Sequence, residues 1–175
     1  MKIERVPTGI PGLDNLIEGG LPKGRITLIT GTSGTGKTTL GMQFLHNGIT
    51  RFGENGLFVT LEEEVSDLTR DMTRYGWALE ELTGQKKFAI ARSPIPFEVK
   101  EGNVNLDSIL DNIHRQAMEV DAKRIVFDSI ASLGLPYEDP VGLRRDVLRL
   151  GALLRELGCT TLLPVSYTHL RAHET

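Results

Sequence analysis

Eight consecutive residues near the N-terminus have the types and the spacing that bind nucleotide phosphates. They form a complete G-x-x-x-x-G-K-[ST] pattern, Gly31-Thr32-Ser33-Gly34-Thr35-Gly36-Lys37-Thr38. Its glycines let backbone N–H groups close around the α- and β-phosphates, the Lys37 ammonium reaches the β- and γ-phosphates, and the Thr38 hydroxyl is a ligand for Mg²⁺. We therefore predict a nucleoside-triphosphate site at these residues and the adjoining Thr39.

The flanking residues favour this interpretation over its alternative, a glycine-rich turn with a chance lysine. The run 25–30 is short, apolar and β-branched, which is typical of a buried strand. After the loop, Leu40, Phe44 and Leu45 recur at helical spacing. The motif requires this order of strand, loop and helix. A helix beginning at Lys37 would also direct the positive end of its dipole toward the phosphates.

Two acidic segments supply carboxylates that a triphosphatase needs. The apolar run 124–128 ends in Asp128, which would orient Mg²⁺ beside the phosphate loop, although an acid that merely ends a strand is the alternative. Another apolar run leads into Glu62, Glu63 and Glu64. Because neighbouring side chains of an extended chain point to opposite sides, only one or two of these would face the γ-phosphate and activate water. A solvated acidic turn, or the first turn of a helix, is equally consistent with the three residues.

Strands and helices alternate along the chain, which predicts an α/β domain with a mainly parallel sheet. The predicted strands are 26–30, 57–61, 88–91, 124–128 and 160–163. The predicted helices are 37–52, 65–75, 106–120 and 141–157. In this arrangement Asp128 lies at a strand tip beside the phosphate loop.

The composition of the 175 residues excludes several classes of protein and of partner. A length of this size predicts one domain, and a net charge of −3 offers no broad basic surface, so nucleic acid is not an expected partner. The single cysteine, Cys159, excludes a disulfide framework and favours a reducing compartment. No apolar run approaches the roughly 20 residues that cross a bilayer, and the N-terminus has no apolar signal core. We therefore expect a cytoplasmic protein without a membrane partner.

Several segments together resemble the KaiC-like branch of the RecA-type P-loop ATPases. They are Thr8-Gly9-Ile10-Pro11-Gly12-Leu13-Asp14, Gly19-Gly20-Leu21-Pro22-Lys23-Gly24, the loop 31–38, Phe58-Val59-Thr60-Leu61-Glu62-Glu63, Tyr75-Gly76-Trp77 and Asp128-Ser129. The resemblance covers residues 8–163 and implies a RecA-like three-layer α/β/α domain over 1–163 that binds ATP with Mg²⁺. In the sheet order of this family, strand 160–163 lies between the phosphate-loop strand and strand 124–128.

The resemblance also assigns roles to residues. It implies that Glu62 and Glu63 are a catalytic pair acting with Lys37, that residues 31–39 and Asp128 bind the nucleotide, and that Thr38 and Asp128 hold the metal. Glu64 departs from the family, which more often has a neutral residue there. The implied protein is an ATPase that forms homohexameric rings with ATP between subunits and has protein partners. It has a clock-type signalling role and, in two-domain relatives, serine/threonine autokinase activity; no phosphorylation site is assigned in 1–163.

Two other functions remain open at this point. One is a DNA-dependent recombinase or helicase-type ATPase of the same superfamily, and the other is a regulator that binds nucleotide without hydrolysing it. Segment 130–140, which follows Asp128, contains two acids and no base. That composition disfavours DNA-binding loops in this segment.

The C-terminal residues interrupt the alternating pattern. Residues 165–175 resemble the translation of a transposon-end adapter used in shotgun sequencing, with Pro164 at the junction. We therefore expect the native domain to break off near Leu163, so that its later strands are missing, and 164–175 to be non-native. His169 and His173 have the i, i+4 spacing of metal ligands on a helix, but we expect no metal site there.

Overall fold

A parallel sheet covered by helices on both faces makes up most of the described chain, residues 3–93, 106–129 and 140–166 of this computed structural model. The strands are β1 Arg5–Val6, β2 Leu21–Pro22, β3 Ile26–Gly31, β4 Gly56–Thr60, β5 Phe88–Arg92, β6 Arg124–Asp128 and β7 Thr160–Ser166. The helices are α1 Leu13–Leu16, α2 Lys37–Phe52, α3 Val65–Thr73, α4 Leu79–Gly84, α5 Leu106–Glu119 and α6 Pro140–Glu156.

The main sheet has five parallel strands in the order β3-β7-β6-β4-β5, and β1 pairs with β2 in a separate antiparallel ribbon. Nearly every residue of β4 and β6 is buried, because central parallel strands are covered on both faces. β3 forms one edge of the described sheet, and its Leu28 side chain is 56 % exposed. The placement of β7 between β3 and β6 confirms the expected strand order.

Alternate side chains of the central strands point to opposite faces of the sheet and pack in two separate apolar layers. On one face, Leu57 and Phe127 pack with the apolar side of α5 and α6. On the other face, Phe58 and Val126 pack with α2, α3 and α4. The three-layer α/β/α architecture is therefore confirmed, and it fixes α2 directly over the centre of the sheet.

The element boundaries agree closely with the sequence expectations where the periodic signal is long. α2 and β6 have the predicted bounds, whereas α3 ends at Thr73 and not at residue 75. α1, α4, β1 and β2 were not predicted, because elements of two to six residues carry too little periodicity. In α1, the Asp14 carboxylate accepts hydrogen bonds from the Thr8 and Gly9 backbone N–H groups at 2.8 and 3.0 Å.

β7 continues three residues beyond the predicted end at residue 163. Val165 pairs with Thr30 and Ser166 with Gly31, because the register with β3 continues to the end of that strand. The non-native origin of 164–175 remains a prediction. Residues 167–175, including His169 and His173, and most of segment 130–140 lie outside the described residues. Among the helices that the structure describes, none has the length and apolar character needed to cross a membrane.

Candidate nucleotide site

The phosphate loop connects the tip of β3 to the first turn of α2. Gly34 and Gly36 have φ values of 79° and 86°, in the left-handed region that glycine adopts without strain. Residues 32–36 are exposed. The first N–H groups of a helix have no partners within the helix, so the start of α2 presents donors toward any anion in the loop.

The Lys37 ammonium lies over the backbone of its own loop. Its Nζ donates hydrogen bonds to the carbonyl oxygens of Gly31 at 3.0 Å and Thr32 at 2.8 Å. The Thr35 hydroxyl also donates to the Thr32 carbonyl, at 2.9 Å. Phosphate oxygens would replace the neutral carbonyl partners with charged ones, which accept stronger hydrogen bonds. The loop geometry therefore fits a phosphate chain.

The start of α2 and the end of β6 meet at a hydroxyl and a carboxylate. Thr38 Oγ1 donates a hydrogen bond of 2.6 Å to Asp128 Oδ2. Burial raises the pKa of the Asp128 carboxyl, and the charge of Glu62 acts in the same direction, against the Thr38 hydrogen bond and the Lys37 charge. Hydroxyl and carboxylate oxygens are the ligand types that Mg²⁺ prefers. The donor set therefore fits the ion that the loop motif implies.

The three consecutive glutamates are in different surroundings. The Thr60 hydroxyl accepts hydrogen bonds from the backbone N–H groups of Glu62 at 3.3 Å and Glu63 at 2.9 Å, which holds the turn after β4. Glu64, at the start of α3, forms an ion pair with Arg92 on β5. This ion pair distinguishes Glu64 from Glu63.

Glu63 lines a cleft of about 170 Å³ beside the phosphate loop. The cleft is also lined by Thr38 and Thr39 at the start of α2. Loss of hydration raises the pKa of the Glu63 carboxyl, and four negative charges raise it further, those of Asp128, Asp71, Glu62 and Asp67. The structure thus brings the phosphate loop, Asp128 and the glutamate pair to one end of the sheet.

Sequence reasoning missed the far wall of this cleft. Asp71, Arg74 and Tyr75 come from α3 and the turn that follows it. The helical spacing of α3 could have indicated this wall. Leu68 and Met72 form the buried face of the helix, and Asp71 lies on the adjoining side. Across the described ranges there is no group of three or more His, Cys, Asp or Glu side chains arranged to hold a metal.

Comparison with known proteins identifies the family. The model of the KaiC-type ATPase family matches residues 6–172. The chain is 42 % identical over 165 residues to the circadian clock oscillator protein KaiC of Prochlorococcus marinus strain MIT 9313, covering 93 % of this chain and 33 % of that protein. It is 39 % identical over 164 residues to the KaiC protein of Thermostichus vulcanus, covering 93 % and 32 %. The chain therefore spans about a third of the length of these curated relatives.

A solved structure gives the same result. The crystal structure of a KaiC-like protein from the hyperthermophilic archaeon Pyrococcus horikoshii OT3 superposes with a TM-score of 0.83 at 42 % identity, covering 94 % of this chain and 71 % of that one. The likeness thus extends over both the sequence and the fold. This chain belongs to the KaiC family of RecA-type ATPases.

Proposed function

We propose that the site binds ATP with Mg²⁺ and hydrolyses its terminal phosphate. The observation that carries the proposal is the 2.6 Å contact between Thr38 Oγ1 and Asp128 Oδ2 at the end of the phosphate loop, with Glu63 in the adjoining cleft. A motif alone predicts nucleotide binding, whereas a paired hydroxyl and carboxylate beside a second carboxylate supports metal-dependent hydrolysis.

Each residue has a distinct role in this proposal. The backbone N–H groups of residues 31–37 and the Lys37 ammonium bind and orient the phosphates. Thr38 and Asp128 would hold Mg²⁺, which, when bound, offsets the charge on the phosphate oxygens. Glu63, with Glu62, orients the attacking water and accepts its proton. Its raised pKa makes it a stronger base than an ordinary glutamate while it is ionised.

The proposal also covers the assembly, the signalling role and the location of the whole protein. We infer a clock-type signalling role with protein partners, because the matching curated relatives are named as circadian clock oscillator proteins. A homohexameric ring with ATP between subunits is part of the same inference and rests on the resemblance to the family. Serine/threonine autokinase activity and a cytoplasmic location belong to the same proposal. No basic segment in the described residues favours nucleic acid as a partner.

Dependence on Mg²⁺ tests the proposed reaction. Phosphate release from ATP by the purified protein is expected with Mg²⁺ and should fall to background in EDTA, because the Thr38 and Asp128 oxygens would then have no ion to hold. Release that continues unchanged in EDTA would contradict the proposal. Stimulation of release by single-stranded DNA would instead favour the recombinase or helicase-type alternative.

The raised pKa of Glu63 predicts the pH dependence. The carboxyl must be ionised to accept a proton, so kcat/KM should fall on acidification at a higher pH than for an ordinary glutamate. Asp71→Asn removes one of the negative charges that raise this pKa. It should move the acidic limb of the profile to lower pH. Asp71 also lies 3.5 Å from the Arg74 guanidinium, so the shift is expected to be partial.

Asp111→Asn, on the exposed side of α5, is the matched control and should leave the profile unchanged. A profile measured on both variants and the parent protein gives the comparison. Identical acidic limbs in all three proteins would mean that Glu63 is not the group that titrates.

A further inference from the structure

Helix α2 runs antiparallel to β6 and contacts it at three levels. At the nucleotide site, Thr38 meets Asp128. In the middle, a Cβ atom on Gly41 would lie 2.8 Å from Val126 Cγ1, so the helix backbone approaches the strand very closely. Near the far end of the helix, a third contact joins it to the strand.

The third contact is made by Arg124, the first residue of β6. Its side chain is fully buried, and its Nε donates a hydrogen bond of 2.6 Å to Glu54 Oε2, just after α2. Nη1 donates at 3.1 Å to the carbonyl oxygen of Phe44 within α2. The guanidinium carbon also lies 4.6 Å from the ring centre of Phe44 and 5.1 Å from that of Phe52. Every one of these contacts joins β6 to α2 or to the residues that follow it.

Room for the Arg124 side chain is provided by a glycine. A Cβ atom on Gly48 would lie 2.5 Å from Arg124 Cδ and 2.7 Å from its Nε. Arg124 Nη2 is buried and has no hydrogen-bond partner within the described residues. The side chain is thus enclosed between the helix and the strand, where its guanidinium forms an ion pair with Glu54.

Stability alone does not explain a buried cation at this position. The free energy lost by desolvating a buried ion pair is about as large as the free energy gained from its attraction. A protein with apolar residues of similar volume at such positions is often just as stable. An arginine differs from an apolar side chain because its planar group makes directional contacts that exist in only one alignment. A shift of α2 by one residue, about 1.5 Å along its axis, would break both the Arg124 contacts and the Thr38–Asp128 hydrogen bond.

We propose that Arg124 is a positioning residue of the nucleotide site, which fixes α2 along β6 so that the Thr38 hydroxyl meets the Asp128 carboxylate. Arg124 lies at the opposite end of β6 from Asp128 and acts through α2, without contact to the nucleotide. The inference rests on the proposed function, because that function gives the Thr38–Asp128 pair its role in holding Mg²⁺.

The test compares nucleotide binding with and without the metal. Binding of a fluorescent ATP analogue is measured at increasing Mg²⁺, and again in EDTA, for the parent protein, Arg124→Met and Arg124→Lys. Both variants should need about tenfold more Mg²⁺ for half-saturation, as when a group that orients metal ligands is removed. Binding in EDTA should change little. Lysine should not restore the parent value, because it lacks the planar group.

A second variant keeps the test decisive if Arg124→Met fails to fold. Gly48→Ala retains the arginine but displaces it, and alanine is otherwise favourable within a helix. It should also raise the Mg²⁺ requirement. Two controls should leave it unchanged, Gly84→Ala, where a Cβ meets nothing within 4 Å, and Arg115→Met, which removes an exposed arginine of α5.

The outcomes separate the inference from the function on which it rests. Folded Arg124→Met or Gly48→Ala protein with the parent's Mg²⁺ requirement would overturn the positioning role. Equal loss of binding with Mg²⁺ and in EDTA would also overturn it, because that pattern indicates general disruption. A parent protein that binds no ATP analogue at any Mg²⁺ concentration would instead overturn the proposed function.

Discussion

Lys37→Ala should weaken ATP binding by about 100-fold. The variant loses the two charge-assisted hydrogen bonds that the ammonium would donate to phosphate oxygens, worth about 1.5 kcal/mol each. The ammonium donates to two loop carbonyl oxygens, and phosphate oxygens can replace these neutral partners. No other lysine or arginine in the described residues reaches the loop carbonyls in this way. Phosphate release should therefore fall to background at ordinary ATP concentrations.

Folding should survive this change, because Lys37 is only half-buried and makes its hydrogen bonds to its own loop. Equilibrium ATP binding and thermal unfolding of the same preparation check both points. Lys87→Ala, at an exposed position before β5, is the matched control and should bind ATP like the parent. Parent-like affinity in Lys37→Ala would mean that the loop does not hold the phosphates.

Glu63→Gln should lower kcat by about 100-fold or more, the range expected when a general base is lost. Glutamine keeps the size of the side chain and its oxygen acceptor, but it cannot accept a proton. Because the carboxylate acts on the water and not on the phosphates, ATP affinity should change less than about threefold. Single-turnover phosphate release, with ATP binding measured in parallel, separates the two quantities.

Glu64→Gln is the internal control for this prediction. Glu64 is adjacent in sequence and has the same chemistry, but its carboxylate pairs with Arg92 and not with the cleft. Loss of an exposed ion pair costs at most about 1 kcal/mol of stability, and kcat should remain near that of the parent. If Glu64→Gln lowered kcat as strongly as Glu63→Gln, the assignment within the three glutamates would be wrong.

The long elements were predictable because each rests on a local pattern. The bounds of α2 follow from a glycine loop at one end and from Gly53 beyond the other, with apolar residues between them at helical spacing. The bounds of β6 follow from its apolar run and the acid that ends it. The phosphate loop and Asp128 lie close together because β3 and β6 are parallel, so that both follow strand ends at the same edge of the sheet.

The contacts that distinguish the glutamates and position the helix were not predictable. The ion pair of Glu64 involves Arg92, 28 residues later, and the residues that enclose Arg124 come from α2, about 80 residues earlier. In the sequence, Arg124 looks like an ordinary charge at the start of a strand. Only the three-dimensional packing shows that its side chain is fully buried.

Comparison of the parent protein with the Glu62→Gln/Glu63→Gln double variant tests the central claim most directly. Phosphate release from ATP with Mg²⁺ is measured at concentrations where both proteins are saturated with nucleotide. We predict that both proteins bind ATP alike and that only the parent releases phosphate above background. Equal phosphate release by the double variant would contradict the claim that this site hydrolyses ATP through its glutamate pair.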